Sequence, residues 1–570
     1  MANLPLRNLG QVGVITDANP YSLPANAFSK AQNVVFDENR VQRAPLFKQL
    51  FPAIRSLLSY ADSSGTFNAQ TGTYDAAQGT PASAARFVGS YADPSFGETV
   101  FVCDNDGAVR SYPNGSLSFI GPGSGAITNE EPWTHAQVGG LSFLVRSGMR
   151  PYVRNVKTDV NYSLMAGDWV STHSAKVVRG YLDYVIMLNV TKSTTEFPTM
   201  VKWSDPVPYN SVVTGVTWNP ASPSGIAGEN ILADMTSGIR DGQVLGTNFI
   251  LYAQEQVWLM EYTGSSLVFN FRRLFPTGGI FNTNCVVEIE GKHFVFGEDD
   301  LYVHDGVTKQ SIADGRVRRS VFNAINRTKR SAAFVMHDSV SNLVYFCYNT
   351  LSDEVKWRNT QYCNQAAIYN YRSDTWSFMD LPNVVGGAES NIDLQANTYP
   401  AVSGSYEVYN SSFVSFEGVK PNVTIALGIT DAANGLTESR VYAVDLPSVS
   451  LTNLPVTQET RAPAVAERVG IDLDDDGLNI PLRSYKTITE IVPQASFDAS
   501  ASTFKWEFGA SDLPNGAVVY RTSTDFDPAV DYKIDTKVSG RYLAYKVTSE
   551  SLENFKITGF DAKVVSTSKR

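Results

Sequence analysis

The chain has 570 residues, 43% of them hydrophobic and 11% aromatic, with 46 basic against 57 acidic side chains and a formal net charge of −11. That length is too great for one compact core and sets an expectation of two or three domains, while the acidic balance argues against a protein that grips nucleic acid. No run approaches the ~18 apolar residues of a spanning helix, and four scattered cysteines without a CxxC pattern argue against a disulfide framework and for synthesis in the cytoplasm.

Pro5–Phe51 comes first, with no charged-then-apolar leader before it, so the mature chain is expected to begin here. Its first half strings together turn formers (Asp17, Asn19, Pro20, Pro24, Asn26) and is not helical, because Pro lacks a donor and restricts the residue before it. Asn33–Phe36, a turn at Asp37–Asn39 and Arg40–Pro45 then read as a hairpin. We expect Asn33–Pro45 to join a sheet of the main body. Leu6–Ala27 is expected to run along a neighbouring surface, so that deleting residues 1–27 would impair assembly more than folding. Ser59–Ala85 is small, polar and aperiodic, a long loop or insertion.

From there a unit recurs: an apolar run, a tight polar turn, and a second run holding an aromatic residue. Its first runs are centred on Phe101, Phe143, Val185, Ile250, Phe294 and Val344, at steps of 42, 42, 65, 44 and 50 residues. Four-stranded propeller blades repeat at about 40–50 residues, since one blade cannot bury both faces and must stack on neighbours. A β-sandwich or a chain of hairpins would space its strands similarly. Gly315–Arg330 is the one clear helix pattern, with Val317, Val321, Phe322 and Ile325 on one side and the Arg side chains on a solvated face. Pro382–Ala464 is richer in Asn, Ser, Thr and Gly, with strand-like runs at Val423–Leu427 and Arg440–Val444 that would add β-structure and close the propeller. Gly470–Arg570 reads as a separate β unit with strands at Tyr485–Val492, Phe504–Phe508, Gly540–Val547 and Phe555–Val564. The fold class is therefore all-β. The expected layout is a strap and first hairpin over 1–51, a propeller-like platform over 52–464 with irregular stretches at about 59–85 and 382–464, and a C-terminal β domain over 465–570.

Three stretches also carry a family resemblance. DANPYSLPANAFSKAQNVVFDENRVQRAPL near the start (Asp17, Asn19, Leu23, Pro24, Ala31, Asn33, Val34, Phe36, Val41, Arg43, Pro45), the KWSD at Lys202–Asp205 with LFPTGGIFNTNCVVEIEGKHFVFGEDDLYVHDG at Leu274–Gly306, and SGRYLAYKVTS with NFKITGFDAKVV near the end occur in this order. The combination resembles the tail nozzle proteins of short-tailed double-stranded DNA phages, the group of tail tubular protein B and the packaged-DNA stabilisation (hub) proteins. The resemblance implies a virion structural protein synthesised in the host cytoplasm. It further implies a homohexamer below the adaptor and portal that carries tail fibres or spikes, retains packaged DNA and conducts it without sequence-specific binding. An acidic surface suits such a channel, since like charges keep phosphate mobile, although solubility alone explains the same charge.

Sites that invite chemistry are weak. Asp472-Leu473-Asp474-Asp475-Asp476-Gly477 matches the first half of a calcium loop, but the twelfth position is Arg483, which cannot ligate, and an acidic turn is the better reading. Glu298, Asp299 and Asp300 sit in a hairpin turn, and the five histidines show no ligand spacing. There is no GxSxG, GxxxxGK[ST] or GxGxxG before a helix. No catalytic, cofactor-binding or metal residue is assigned, and the chain is expected not to be an enzyme. The alternative is a propeller enzyme or carbohydrate-binding tail component acting on host surface polysaccharide, with Trp258, Trp376 and Trp506 stacking on sugars. At alternating strand positions such residues are more often core.

Overall fold

A computed structural model describes residues 2–50, 54–55, 66–68, 73–75, 85–93, 97–104, 107, 109–111, 118–121, 131–209, 211–213, 216–222, 225–265, 267–352, 355, 361–390, 423–431, 437–444, 459–460, 463–472, 484–498, 502–514, 516–551 and 553–568. The described chain is almost wholly β. Five four-stranded antiparallel meanders follow one another: sheet one (Ala85–Asp93, Gly97–Asp104, Val109–Ser111, Ser118–Phe119), sheet two (Trp133–Val138, Leu141–Arg146, Tyr152–Asn155, Ser163–Leu164), sheet three (His173–Tyr181, Tyr184–Lys192, Thr195–Trp203, Gly228–Ile231), sheet four (Ile239–Leu245, Asn248–Ala253, Val257–Tyr262, Phe269–Phe275) and sheet five (Val286–Ile289, Lys292–Phe296, Leu301–His304, Lys309–Ser311). Sheet six is Phe334–Asp338, Leu343–Tyr348, Cys363–Asn370 and the first half of Thr375–Ser390. That last strand turns inward at Leu381–Asn383, where Asn383 has φ 52°, and its second half opens sheet seven with Val423–Asp431, Thr437–Val444 and Phe47–Gln49.

The sheets pack face to face through apolar clusters shared between neighbours. Tyr91, Phe101 and Val109 of sheet one meet Trp133, Leu144 and Tyr152 of sheet two. Phe143 and Val145 meet Val178 and Met187, and Ile186 and Trp203 meet Phe249 and Trp258. A large core joins sheets four, five and six through Tyr252, Phe294, Phe296 and Phe346. Met336, Tyr345 and Ile368 meet Ala426 and Tyr442 between sheets six and seven. Ile425, Leu427 and Val441 of sheet seven then meet Val88, Val100 and Val102 of sheet one. No sheet closes on itself into a barrel, but the series of contacts returns to its start, with the first strand of each sheet innermost. This is a propeller-like ring of seven sheets, and it explains the sequence: each sheet carries apolar residues on both faces because both are covered.

The recurring runs centred on Phe101, Phe143, Val185, Ile250, Phe294 and Val344 are the second strands of sheets one to six, not the first. Val423–Leu427 and Arg440–Val444, in a stretch expected to be largely irregular, are strands of the seventh sheet. Of 59–84, the structure describes only the pairing of Thr66–Asn68 with Thr73–Asp75. In Gly315–Arg330 the helix α1 is short, Arg318–Ala324, with Val317 and Val321 fully buried, and a 3-10 segment Arg327–Ala332 follows.

A second β unit holds both ends of the chain. One sheet runs in the order Ile534–Gly540, Tyr485–Phe497, Phe555–Ser568, Arg40–Arg43, Val34–Asp37, with Ala2–Arg7 also paired to Phe555–Ser568. The other runs Lys30–Gln32, Ala464–Ile471, Tyr542–Ser549, Phe504–Ser511, Val519–Phe526. Between them lies a core of Leu4, Leu6, Ile491, Trp506, Phe508, Tyr545, Phe560 and Val564, the arrangement of two sheets sealing each other's apolar faces.

The opening segment departs from its expected course. The Asn33–Pro45 hairpin joins the C-terminal unit through Val41 opposite Ile557 and Gln42 opposite Lys556, and the segment that enters the propeller is the next one, Phe47–Gln49. Leu6–Ala27 runs over its own chain. Leu6 pairs with Phe560, Gly13 packs on Thr375 and Trp376, and the Asp17 carboxylate accepts from the backbone N–H groups of Arg319 and Ser320 at 2.8 and 3.2 Å, capping α1. The reason is an apolar stripe (Leu4, Leu6, Leu9, Val14, Phe28) that the C-terminal strands leave room to bury.

Candidate functional site

Three polar side chains from the innermost strands and their approaches, Arg179, Asp241 and Asn284, meet one another. The Arg179 guanidinium, on the first strand of sheet three, donates to both carboxylate oxygens of Asp241 of sheet four (2.8 and 3.0 Å), to Gly242 O (3.0 Å) and to Asn284 Oδ1 at the entry of sheet five (2.8 Å). Asp241, fully buried, also accepts from the Asn284 and Gly242 backbone N–H groups. Asn284 Nδ2 donates to Trp133 O of sheet two at 3.1 Å, and Asn284 O accepts from Val335 N of sheet six at 2.8 Å. Sheets two and five are not neighbours in the ring, so a direct bond between them crosses the axis. Asn284 adopts φ 61°, a conformation that Asn tolerates better than most residues. The buried charge of Asp241 is met by a guanidinium and two amides, which is what such a charge requires. This constellation fastens five sheets to one another across the axis.

Nearby charges are also spent on one another. Arg330 forks onto the Glu298 carboxylate, and Arg240 lies 3.7 Å from it while donating to Gln254 Oε1 at 2.7 Å. Lys176 pairs with Glu131 at 2.8 Å. Asp299 and Asp300 face Arg318 at 3.8 Å, and Arg316 forks onto Asp374. The acidic turn and the basic helix, read separately as solvated faces, in part neutralise each other across sheet five and α1.

A second buried network joins sheets four and five. His293 Nε2 faces Val244 O at 2.8 Å, an acceptor only, so that nitrogen carries the proton and Nδ1 accepts from the Tyr252 hydroxyl at 2.7 Å. Tyr252 Oη accepts from His304 Nε2 at 2.6 Å, and His304 Nδ1 accepts from Gly306 N at 3.2 Å. The tautomers follow from these partners, and every donor and acceptor in the chain is matched. Burial pushes the His293 pKa down to about 4 and that of His304 to about 3, so both rings are neutral near pH 7. Tyr252, His293 and His304 are all buried, so the relay lies within the packed interior of sheets four and five. The sequence held its signal: a turn at Gly297–Asp300 that sets Phe296 opposite Leu301 also sets His293 opposite His304.

Trp258, Trp376 and Trp506 are all buried, so none stacks on a sugar at the surface. Asp472 lies 3.2 Å from the buried Lys486 ammonium, and the rest of the Asp472–Gly477 loop is outside the described residues. All four cysteines are free and buried. Among the described residues no group of three or more His, Cys, Asp or Glu could hold a metal, and no helix is long and apolar enough to cross a membrane. Gly278 (φ 87°) and Gly279, whose position leaves no room for a Cβ beside Ala253 O, make the turn of LFPTGGIF possible only with glycine.

No protein-family model matches the chain, and no curated protein matches it. Many solved structures are similar in outline, and three of them illustrate the likeness. They are the computationally designed Ika8 protein (12% identity, covering 73% of this chain and 96% of that one, TM-score 0.35), the β-propeller domain of Cps50 (Swd1) of Myceliophteria thermophila (7%, 64% and 97%, 0.36) and the WD40 β-propeller domain of Doa1 (8%, 64% and 94%, 0.33). The chain is an all-β protein of propeller type, and its sheet topology carries that statement.

Proposed function

We propose that this chain is a structural subunit of a virion, the tail nozzle or hub of a short-tailed phage. In this reading six copies form a ring below the adaptor and portal, tail fibres or spikes attach to its outer wall, and packaged DNA is retained and then conducted through the centre of the ring. The observation that carries the reading is the Arg179–Asp241–Asn284–Trp133 bridge. A propeller whose sheets are fastened to one another across the axis serves as a rigid wall element, and any conduit for DNA then has to lie between copies. The ordered resemblance of the opening, middle and closing stretches to nozzle proteins supports it. So does the net charge of −11, which disfavours tight phosphate contact. The chain is not an enzyme in this reading.

The test is native mass and negative-stain imaging of the purified protein, alone and with the adaptor from the same genome. A six-fold ring with a central hole is the expected result. A monomer or trimer that cleaves or binds capsule polysaccharide would replace the reading with the propeller enzyme or lectin. No observation favours that second reading, since its three tryptophan candidates are core residues.

A further inference from the structure

Each of sheets one to five brings the chain back to the end it started from, so the innermost strands of sheets one to six all begin at one end of the ring. Cations collect there. Arg86 and Arg240 are the second residues of their strands, and Lys176 is the fourth of His173–Tyr181. Arg327 and Arg330 arrive on the 3-10 segment that leads into sheet six. Among the described residues two carboxylates are bonded to these five side chains. Glu131, just ahead of sheet two, holds Lys176 at 2.8 Å. Glu298, in the turn between the second and third strands of sheet five, is shared by Arg330, Arg240 (3.7 Å) and Arg327 (3.9 Å). Arg86 has neither: its guanidinium lies 5.1 Å over the Tyr362 ring, and its Nε is buried without an acceptor. Asp104, the next carboxylate along, is bonded to Arg110 at 2.6 Å.

Five positive charges against two negative ones leave a cationic mouth in a chain whose net charge is −11. The crowding is felt. Burial and then Arg86 push the pKa of Arg146, the last residue of Leu141–Arg146 at the same end, down to about 10; burial and then Arg330 lower that of Arg240. Glu131 links the two halves of the mouth, since its charge bears on both Arg146 and Arg240. Lys176, Arg240 and Arg330 are 24%, 20% and 26% exposed, shielded enough for water to screen them less than surface charges and open enough to be reached.

We propose that this end of the ring axis binds a polyvalent oxyanion, of phosphate or carboxylate chemistry, through Arg86, Lys176, Arg240 and Arg330. A planar guanidinium gives such an anion two parallel N–H bonds, and a partly enclosed cationic mouth concentrates it. Glu131 and Glu298 set how much positive charge remains for it. The site is independent of the nozzle reading, since every single copy carries it whole.

The test is equilibrium dialysis of the full-length protein against sodium tripolyphosphate and, separately, citrate, at low ionic strength and pH 7. Binding is expected, and it should weaken as sodium chloride is raised. Arg86→Gln and Lys176→Gln should each raise Kd about tenfold, the cost of one charge-assisted hydrogen bond, whereas Glu131→Gln should lower it. Opposite signs from neighbouring residues separate a binding site from a folding defect, and melting curves confirm that each variant is folded. Lys292→Gln, on an exposed residue at the opposite end of sheet five, should leave Kd unchanged. Tighter binding of tripolyphosphate assigns a phosphate source to the anion, and tighter binding of citrate assigns a carboxylate source. Failure of both to bind at millimolar concentration, or a Lys292 variant that weakens binding as much as the Arg86 and Lys176 variants, overturns the site.

Discussion

In sheets two to five every strand pairs with its immediate neighbours in the chain. In sheet seven and in the C-terminal unit, strands from residues 2–49 are inserted among strands from residues 423–568. The two regions use the same strand geometry but are specified differently. A meander needs only short loops, so its pairings close at low entropic cost; a strand that must find a partner some 500 residues away closes a loop whose cost grows with the logarithm of its length, and folding slows as such contacts accumulate. The local region is thus a set of modules fastened by polar bridges across the axis. The non-local region is a clasp that fixes the two ends of the chain to the ring, and in it one segment serves both units.

The largest effect is expected from removing that clasp. Deletion of residues 2–27 takes away the strand paired with Phe555–Ser568, the buried Leu4 and Leu6, and the Asp17 cap of α1. It should expose the C-terminal unit to limited proteolysis while sheets two to five stay protected; equal protection of both regions would erase the distinction. Next comes Asp241→Ala on the axis, which strands the guanidinium of Arg179 among packed sheets. A loss of about 3–5 kcal/mol is expected from the cost of leaving one partner of a buried pair, read by denaturant unfolding, with Asp241→Asn recovering part of it. In the clasp, Asn33 holds φ 58°, donates to Asp380 Oδ2 and Pro463 O, and accepts from Asp380 N. Asn33→Ala should cost about 2–4 kcal/mol, since it removes three buried hydrogen bonds and strains the backbone, and the loss should fall on the junction of the C-terminal unit with sheet six.

The smallest expected effect concerns the histidine relay. Because the folded pKa values of His293 and His304 lie below the usual histidine value near 6.5, the unfolded chain takes up protons that the folded chain refuses. The stabilisation is therefore complete above about pH 6.5 and is lost progressively as pH falls towards about 3, the lower of the two folded values. Tyr252→Phe should cost about 1–3 kcal/mol at pH 7 by leaving a histidine unpaired at each side. A variant that melts in parallel with wild type from pH 7 to pH 4 would show that the relay does not couple the two sheets.

Particular residues show how far the sequence could be read. The second strands of the sheets stood out as apolar runs because both their faces are covered. The innermost strands, such as HSAKVVRGY and IRDGQVL, did not, because they carry Arg179 and Asp241 towards the axis and lack a clean period. The bridge they form was invisible for the same reason: its bonded partners lie 43 to 151 residues apart, and nothing local marks Arg179, Asp241 and Asn284 as partners. The His293–His304 pairing, by contrast, was within reach of the hairpin register.

By itself the sequence determined the all-β class, the recurring strand–turn–strand unit, the strands of the C-terminal stretch and the turns that only glycine or asparagine can make, since all of these depend on residues within a few positions of one another. Only the tertiary structure decided that seven sheets close a ring, that the opening segment belongs to the C-terminal unit before it reaches the propeller, and that the sheets are fastened to one another across the axis. Those outcomes depend on which distant apolar faces and buried charges meet, and a buried charge finds its partner in space rather than along the chain.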